Sequence, residues 1–135
     1  IVLDVAHNPA AVHKLHEYLA SNPCNGRTIA LFCAMSDKDL HGMIRACVSA
    51  VDAWFLADIP DVPRAAKASE LAALVHEAGG HMISVSKNIR QAWRRAFTLL
   101  GEGDRLVVFG SFFTAAWALP LLHKDSARLA DRETA

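Results

Sequence analysis

The sequence has no excess of charge of either sign, because 14 Lys and Arg residues balance 14 Asp and Glu residues. Surfaces that bind nucleic acids or anionic membranes need a basic excess, so neither partner is expected. No apolar run approaches the roughly 18 residues of a membrane-spanning helix, and no signal-peptide pattern is visible. We therefore predict a cytoplasmic protein.

Cysteine is scarce, with three residues and no C-x-x-C pair. This number and spacing argue against a disulfide framework or a zinc knuckle, so reduced thiols are expected. No G-x-x-x-x-G-K-[ST] sequence occurs, which excludes a P-loop within these residues. His13 and His16 are three residues apart but lack a carboxylate or cysteine partner, so no metal site is predicted in this chain.

The chain does contain enough apolar material for a core, since 53% of its 135 residues are hydrophobic. That length suits one compact domain. Short apolar runs alternate with stretches of helical spacing, and most runs are nearly continuous rather than alternating. This pattern is typical of strands in a parallel sheet covered on both faces. The predicted strands are 1–4, 28–33, 53–57, 82–85 and 105–109.

Capping signals place helices between these strands. Asn8 can cap the first helix, with Pro9 at its first position, and Asp39 can cap the second. The remaining helices are predicted at 69–78, from Ser86 or Asn88 to Leu100, and at 112–122. The order predicts an α/β fold with a doubly wound, mostly parallel sheet of five or six strands and helices on both faces.

The loops that follow the strands are the place to search for a site, because ligands of open α/β sheets bind outside the carboxyl ends of the strands. Asp4 ends a buried strand and can accept hydrogen bonds from a ribose or hold a neighbouring side chain. His7 precedes a helix N-terminus, where an imidazole can donate to a phosphate or move a proton near pH 7. The alternative is a capping loop with an exposed histidine.

Three later loops hold further candidates, each with a plainer alternative. Lys38 could reach a phosphate or a carboxylate, or belong to a solvated charge cluster. Arg64 lies in a proline-stiffened loop, and its planar guanidinium could bind a carboxylate or simply be exposed. Ser111 follows Gly110 and could bind a ligand carboxylate, cap the next helix, or do both.

The D-V-A-H-N-P sequence of residues 4–9 resembles the D-[GV]-A-H-N-P motif of folylpolyglutamate/dihydrofolate synthases, in the Mur ligase superfamily. There it opens the C-terminal domain. Three further stretches match in the expected order: D-K-D at 37–39, P-R-A at 63–65 and F-G-S-F at 109–112. The resemblance covers about residues 1–122, which is essentially the whole predicted domain at 1–123, and a polar tail is predicted at 124–135.

This resemblance implies a Rossmann-like domain that closes over an N-terminal ATPase domain absent from these residues. That domain would supply the P-loop, the Mg²⁺ ligands and most of the folate site. ATP would phosphorylate a carboxylate of dihydropteroate or of a folate glutamate tail, and the amine of L-glutamate would attack the acyl phosphate. The expected cofactors are ATP and Mg²⁺, and the expected assembly is a monomer that is inactive without its ATPase domain.

The resemblance also implies roles for single residues. Asp4 matches an aspartate that contacts ATP, and His7 matches a histidine near the phosphate and the incoming glutamate, which we take as catalytic. Ser111 matches a serine near the glutamate. Arg64 matches the arginine of the family's P-R motif, and in related Mur ligases the arginine at a similar loop binds the carboxylate of the added amino acid. Lys38 has no assigned role.

Two alternatives stay open. One is the C-terminal domain of another Mur-superfamily amide ligase, such as a peptidoglycan-precursor synthetase, although those usually carry a lysine in the first motif. The other is a non-catalytic α/β ligand-binding domain. Even within the favoured family, the residues do not say whether the dihydrofolate step, the polyglutamate step or both are performed.

Overall fold

The computed structural model describes residues 1–111, 114, 116, 119–121 and 123. The predicted helix at 112–122 therefore falls largely outside the described residues, and the predicted tail at 124–135 falls entirely outside them. The elements are β1 (Val2–Leu3), α1 (Pro9–Ser21), β2 (Thr28–Phe32), α2 (Leu40–Cys47) with a 3-10 turn (Val48–Ala50), β3 (Ala53–Ala57), α3 (Ala68–Glu77), β4 (Ile83–Ser86), α4 (Ile89–Leu99) and β5 (Arg105–Phe109).

The five strands form one sheet in the order β1-β5-β2-β3-β4, and every pair of neighbours is parallel. β2 lies at the centre, paired with β5 on one side and β3 on the other. This arrangement confirms the predicted α/β class, with five strands and no antiparallel pair among them.

Both faces of the sheet are buried, which explains the continuous apolar runs. In β2, Ala30 and Phe32 point to the cluster packed by α1, α2 and α3, whereas Ile29 and Leu31 point to the cluster packed by α4. All five residues of β2 are buried, as are all five of β3. The helices therefore cover both faces, as predicted.

The connections explain where a crevice can open. Three successive connections, through α1, α2 and α3, cross the sheet in one direction on one face, and α4 returns on the other face. This reversal of direction and face is what right-handed crossovers require. After β5 the chain reaches Leu121, which packs on the α4 face. The chain that follows β5 thus packs on one face of the sheet. The helices that follow its two neighbours, α1 after β1 and α2 after β2, pack on the other face.

Helix starts follow the predicted caps with one exception. Asn8 Oδ1 accepts from Ala11 N at 2.9 Å, and Asn88 Oδ1 accepts from Gln91 N at 2.8 Å. α3 begins one residue earlier than predicted, at Ala68. Its first N–H donates to Asp58 Oδ1 at 2.7 Å, so a carboxylate ten residues upstream acts as the cap.

The fourth predicted strand is displaced by one residue for a backbone reason. Met82 has φ 53°, a left-handed conformation that cannot continue a strand, so β4 starts at Ile83. The first predicted strand is also shorter than expected, because only Val2 and Leu3 pair with β5. Among the described helices, none combines the length and hydropathy that a membrane span requires.

Charged residues hold the amino edge of the sheet, the edge where the strands begin. Asp104 accepts hydrogen bonds from Arg27 N at 2.7 Å, from Gly101 N at 2.8 Å and from Arg27 Nη2 at 3.0 Å. These bonds, the one from Arg27 N first, lower the pKa of Asp104 to about 2. Next to them, Arg105 donates to Thr28 Oγ1 at 3.0 Å and to the carbonyl of Asn22.

Candidate functional site

The candidate site lies at the carboxyl edge of the sheet, where the strands end. We number its loops after the strands they follow: loop 1 (residues 4–8), loop 2 (33–39), loop 3 (58–67), loop 4 (87–88) and loop 5, whose described part is 110–111. Loop 5 follows β5 and therefore opens between loops 1 and 2. This is the place where the reversal of strand order predicts a ligand crevice.

Loops 1, 2 and 5 meet at Gly110. Its N–H donates to the carbonyl of Ala6 at 3.0 Å, which ties loop 5 to loop 1. A Cβ at this position would overlap the carbonyl oxygen of Cys33 in loop 2, and φ is 118°. Only glycine fits both the close approach and this backbone conformation.

Ser111 is nearly buried, at 4% exposure, and caps the chain that follows. Its Oγ accepts from Thr114 N at 3.1 Å and lies 2.9 Å from Thr114 Oγ1. Because Thr114 Oγ1 donates its proton to the carbonyl of Cys33 at 3.2 Å, the Ser111 hydroxyl must be the donor between the two side chains. The predicted capping role is confirmed. The hydroxyl would have to release Thr114 before it could donate to a carboxylate.

Asp4 shapes loop 1 from within. Its Oδ1 accepts from Ala6 N at 2.7 Å, and its backbone N–H donates to the carbonyl of Val108 in β5 at 2.9 Å. The half-buried carboxylate therefore holds the turn of its own loop. This turn also positions the Ala6 carbonyl that receives the Gly110 N–H.

His7 is half-buried and stands directly before the α1 cap. Its Nδ1 lies 2.8 Å from the carbonyl oxygen of Val5. A carbonyl can only accept, so this bond places the ring proton on Nδ1 and leaves the lone pair of a neutral imidazole on Nε2. The contact fixes both the tautomer and the direction of the ring.

Loops 2 and 3 are joined along their backbones. Ser36 donates twice to the carbonyl of Arg64, from its N at 2.6 Å and from its Oγ at 2.8 Å. The Arg64 side chain reaches back to the same loop, where Nη2 lies 2.6 Å from Asp37 Oδ2. Lys38, also in loop 2, is half-buried.

Loop 2 also reaches the side of the sheet on which His7 lies. Asp39 caps α2 by accepting from Gly42 N at 3.0 Å. A Cβ on Gly42 would come within 2.9 Å of Pro9 Cγ, so the first turns of α1 and α2 are in close contact. Lys38 directly precedes the residue that caps α2.

The structure thus places Asp4, His7 and Ser111 in two loops that are tied together by the Gly110 to Ala6 hydrogen bond, and it places Arg64 farther along the same edge, beyond loop 2. Sequence reasoning did not identify the partners of these residues: Ser36, Asp37 and Thr114. The opposite charges of the D-K-D and P-R-A stretches were a signal, but no spacing rule pairs residues 27 positions apart.

Other chemical groups near the site have structural roles. Burial raises the pKa of the Cys33 thiol to about 12, so it is no thiolate nucleophile. His13 pairs with Glu17 at 3.1 Å on the exposed face of α1.

Among the described residues, no group of three His, Cys, Asp or Glu side chains could hold a metal ion. A cavity of about 340 Å³ lies apart, between Ile59–Asp61 and Asn88–Arg90.

Comparison with protein families assigns this fold. Residues 1–112 match the family described as Mur ligase, glutamate ligase domain. The chain belongs to this family. It is 34% identical over 122 residues to the dihydrofolate synthase/folylpolyglutamate synthase of Escherichia coli, a match that covers 90% of this chain and 28% of that protein.

Solved structures agree with the family assignment. E. coli FolC in complex with DHPP and ADP superposes with a TM-score of 0.81 at 32% identity, covering 93% of this chain and 28% of that one. A bifunctional folylpolyglutamate synthase/dihydrofolate synthase with Mn, AMPPNP and L-glutamate bound gives a TM-score of 0.79 at 33% identity, covering 90% and 29%. The chain spans between a quarter and a third of the length of these relatives.

Proposed function

We propose that this chain is the glutamate-adding domain of an ATP-dependent ligase that joins L-glutamate to dihydropteroate, to folate polyglutamate tails, or to both. The observation that carries the proposal is the meeting of loops 1, 2 and 5 at Gly110. Loops 1 and 5 contain Asp4, His7 and Ser111, and the reversal of strand order predicts a ligand crevice at this place. The relative solved with nucleotide and L-glutamate supports the same substrates.

The proposed reaction has two steps. A carboxylate oxygen of the folate substrate attacks the γ-phosphorus of ATP, and ADP leaves with the bond electrons. The amine nitrogen of glutamate then attacks the acyl carbon, the bond from that carbon to the phosphate oxygen breaks, and inorganic phosphate leaves. The ammonium form of glutamate must lose a proton before attack, and the new amide must lose another afterwards.

His7 has the chemistry for that proton transfer. With Nδ1 bonded to the Val5 carbonyl, the lone pair on Nε2 can accept a proton from the amine, and the resulting imidazolium can stabilise the departing phosphate. Arg64 would bind a carboxylate of the incoming glutamate. Asp4 would contribute to the ATP contact across the closed cleft, as the resemblance implies, while holding loop 1 in shape.

The Mg²⁺ ion that accompanies ATP would neutralise the charge of its phosphates. The residues described here do not fit a magnesium cage, since they include no cluster of three ligand side chains. We therefore assign the ligands of that ion to an N-terminal ATPase domain. We also propose that the ligase acts as a monomer in the cytoplasm.

A substrate panel tests the function directly. The full-length ligase carrying this domain would be given ATP, L-glutamate and either dihydropteroate, a reduced folate or a UDP-muramyl precursor, and phosphate release would be measured. We expect glutamate-dependent turnover with dihydropteroate or the folate and none with the muramyl compound. Turnover with the muramyl compound alone would assign the chain to another branch of the superfamily.

The same panel addresses the non-catalytic alternative. If the full-length protein binds ATP and glutamate but releases no phosphate with any acceptor, the domain is a binding module. A ligase variant without a functional P-loop lysine serves as the control, because it retains this domain while losing phosphoryl transfer.

A further inference from the structure

Arg64 is fixed by loop 2 at two levels, and the first is its backbone. Its carbonyl oxygen accepts two hydrogen bonds from Ser36, at 2.6 and 2.8 Å. Beyond this pair, Met35 and Ala65 form an antiparallel bridge, and Ala66 N donates to the carbonyl of Ala34 at 2.9 Å. The position from which the Arg64 side chain starts is therefore set by loop 2.

The second level is the side chain itself. Nη2 of Arg64 lies 2.6 Å from Asp37 Oδ2, although the two side chains are 70% and 48% exposed. Ion pairs this exposed contribute roughly 0–1 kcal/mol to stability, so the fold does not depend on this one. Its effect is to restrict a long side chain that would otherwise sample many rotamers.

The guanidinium still has capacity for a ligand. It carries five N–H groups on a planar fork, and within the described residues Asp37 is bonded to one of its nitrogens. A second carboxylate can therefore approach the remaining N–H groups without displacing Asp37. An arginine held in this way binds a carboxylate with less loss of conformational freedom than a free one.

We propose that Asp37 is a positioning residue that presents Arg64 to a carboxylate of the incoming glutamate. This inference rests on the proposed function, in which Arg64 binds that carboxylate. It gives loop 2 a defined part in substrate selection, with Ser36 holding the backbone of Arg64 and Asp37 holding its guanidinium. The hydrogen bond from Arg64 lowers the pKa of the Asp37 carboxyl, so the carboxylate that holds Arg64 stays ionised at neutral pH.

Electrostatic repulsion alone predicts that neutralising Asp37 would strengthen glutamate binding, whereas positioning predicts that it would weaken it. Asp37 is negative, and removing a negative charge near a site for an anion should strengthen binding of that anion. The same would follow if Asp37 competed with glutamate for Arg64. Positioning and competition therefore differ in the sign of the change in glutamate affinity, which a single substitution can measure.

The test uses the full-length ligase and the variants Asp37→Asn and Arg64→Ala, with steady-state kinetics for glutamate and ATP. If Asp37 positions Arg64, D37N raises the KM for glutamate about threefold to tenfold, in line with the entropy of one arginine side chain. The kcat and the KM for ATP should stay unchanged. The double variant D37N/R64A should be no worse than R64A, because the two residues act through one contact.

Asp61→Asn is the matched control. It removes the same charge from an exposed position in loop 3, and Asn tolerates the left-handed backbone at φ 64°. D61N should leave the KM for glutamate unchanged. Thermal unfolding of all variants should agree within a few degrees, as expected for exposed positions.

The outcomes separate the inference from the function on which it rests. If R64A leaves the KM for glutamate unchanged in an active ligase, Arg64 does not bind glutamate and both the role of Arg64 and its positioning are overturned. If R64A raises that KM while D37N leaves it unchanged or lowers it, the role of Arg64 stands and the positioning role of Asp37 is overturned.

Discussion

At the amino edge of the sheet, Asp104 accepts three hydrogen bonds and its side chain is 6% exposed. At the carboxyl edge, the described contacts of the Arg64 side chain amount to one ion pair, and it is 70% exposed. The same kinds of charged group occur at both edges. The two edges differ in how many of the possible hydrogen bonds of these groups are made within the protein.

This difference separates stabilising charge from charge available to a ligand. Asp104 closes the turn before β5 and joins it to the residue before β2, so the amino edge is held together by its own polar groups. At the carboxyl edge, the described contact of the Arg64 side chain fixes its direction through one guanidinium nitrogen, which is bonded to Asp37. Such partial fixing preorganises a site while leaving atoms for a substrate.

The substitution His7→Ala should show the largest effect, and it should affect activity alone. A residue that transfers a proton in the transition state contributes roughly 10²- to 10⁴-fold to the rate. In the full-length ligase we therefore expect kcat for glutamate ligation to fall by about that factor, measured as glutamate-dependent phosphate release. The urea midpoint should hardly change, because His7 is only half-buried.

His13→Ala is the control for this prediction, since it removes an exposed histidine from the next turn of the same chain segment. Its activity should equal that of the unmodified ligase. A His7→Ala enzyme with near-normal turnover would remove His7 from the mechanism, and the carboxyl edge would then need another proton carrier.

Gly110→Ala comes second and should lower stability. A Cβ at residue 110 would overlap the carbonyl oxygen of Cys33, at a φ of 118° that side chains rarely adopt. Both the backbone clash and the strained φ must be relieved by moving β5 against β2 or loop 1. We expect a loss of roughly 3 kcal/mol or more in the free energy of unfolding, measured by urea titration.

Gly79→Ala separates the two causes. Gly79 also has a positive φ, 91°, but a Cβ there would meet nothing within 4 Å. Strain alone should cost about 1–2 kcal/mol. If the two alanine variants lose the same stability, Gly110 does not closely approach the Cys33 carbonyl, and the crevice predicted beside β5 loses its structural basis.

The sequence was sufficient for the fold because several independent signals agreed. Continuous apolar runs, the caps at Asn8, Asp39 and Asn88, and the alternation of elements all pointed to a parallel sheet. Errors occurred where a distant contact or a backbone conformation decided the boundary. Asp58 caps α3 from another loop, and the left-handed φ of Met82 delays β4.

The site was only partly predictable for the same reason. Strand-end position and the motif resemblance predicted Asp4, His7, Arg64 and Ser111 as site residues, because those signals are local. Tertiary contacts determine what each residue touches. The pairing of Asp37 with Arg64 across 27 positions, and the engagement of the Ser111 hydroxyl, have no local signature in the chain.

Asp104→Asn should show the smallest effect, and it tests the amino edge. The pKa of Asp104 is lowered from 3.8 to about 2, so its carboxylate stabilises the folded state above pH 3.8, and this contribution is lost as the pH falls through about 2. D104N lacks the charge at every pH. Urea unfolding at a series of pH values should show the variant less stable than the parent at pH 7.

The quantity to compare is the difference in free energy of unfolding between parent and variant, because all other carboxyl groups titrate in both proteins. It should stay constant from neutral pH down to about 4 and shrink as the pH falls from about 4 through about 2, where the Asp104 carboxylate of the parent is protonated. Glu102→Gln, at an exposed neighbouring residue, should show no such difference. A D104N difference that kept its full neutral-pH size at pH 2 would mean that its cause is lost packing. Packing, and not the charge of Asp104, would then stabilise the amino edge. The two edges would no longer differ in whether their charged groups stabilise the fold.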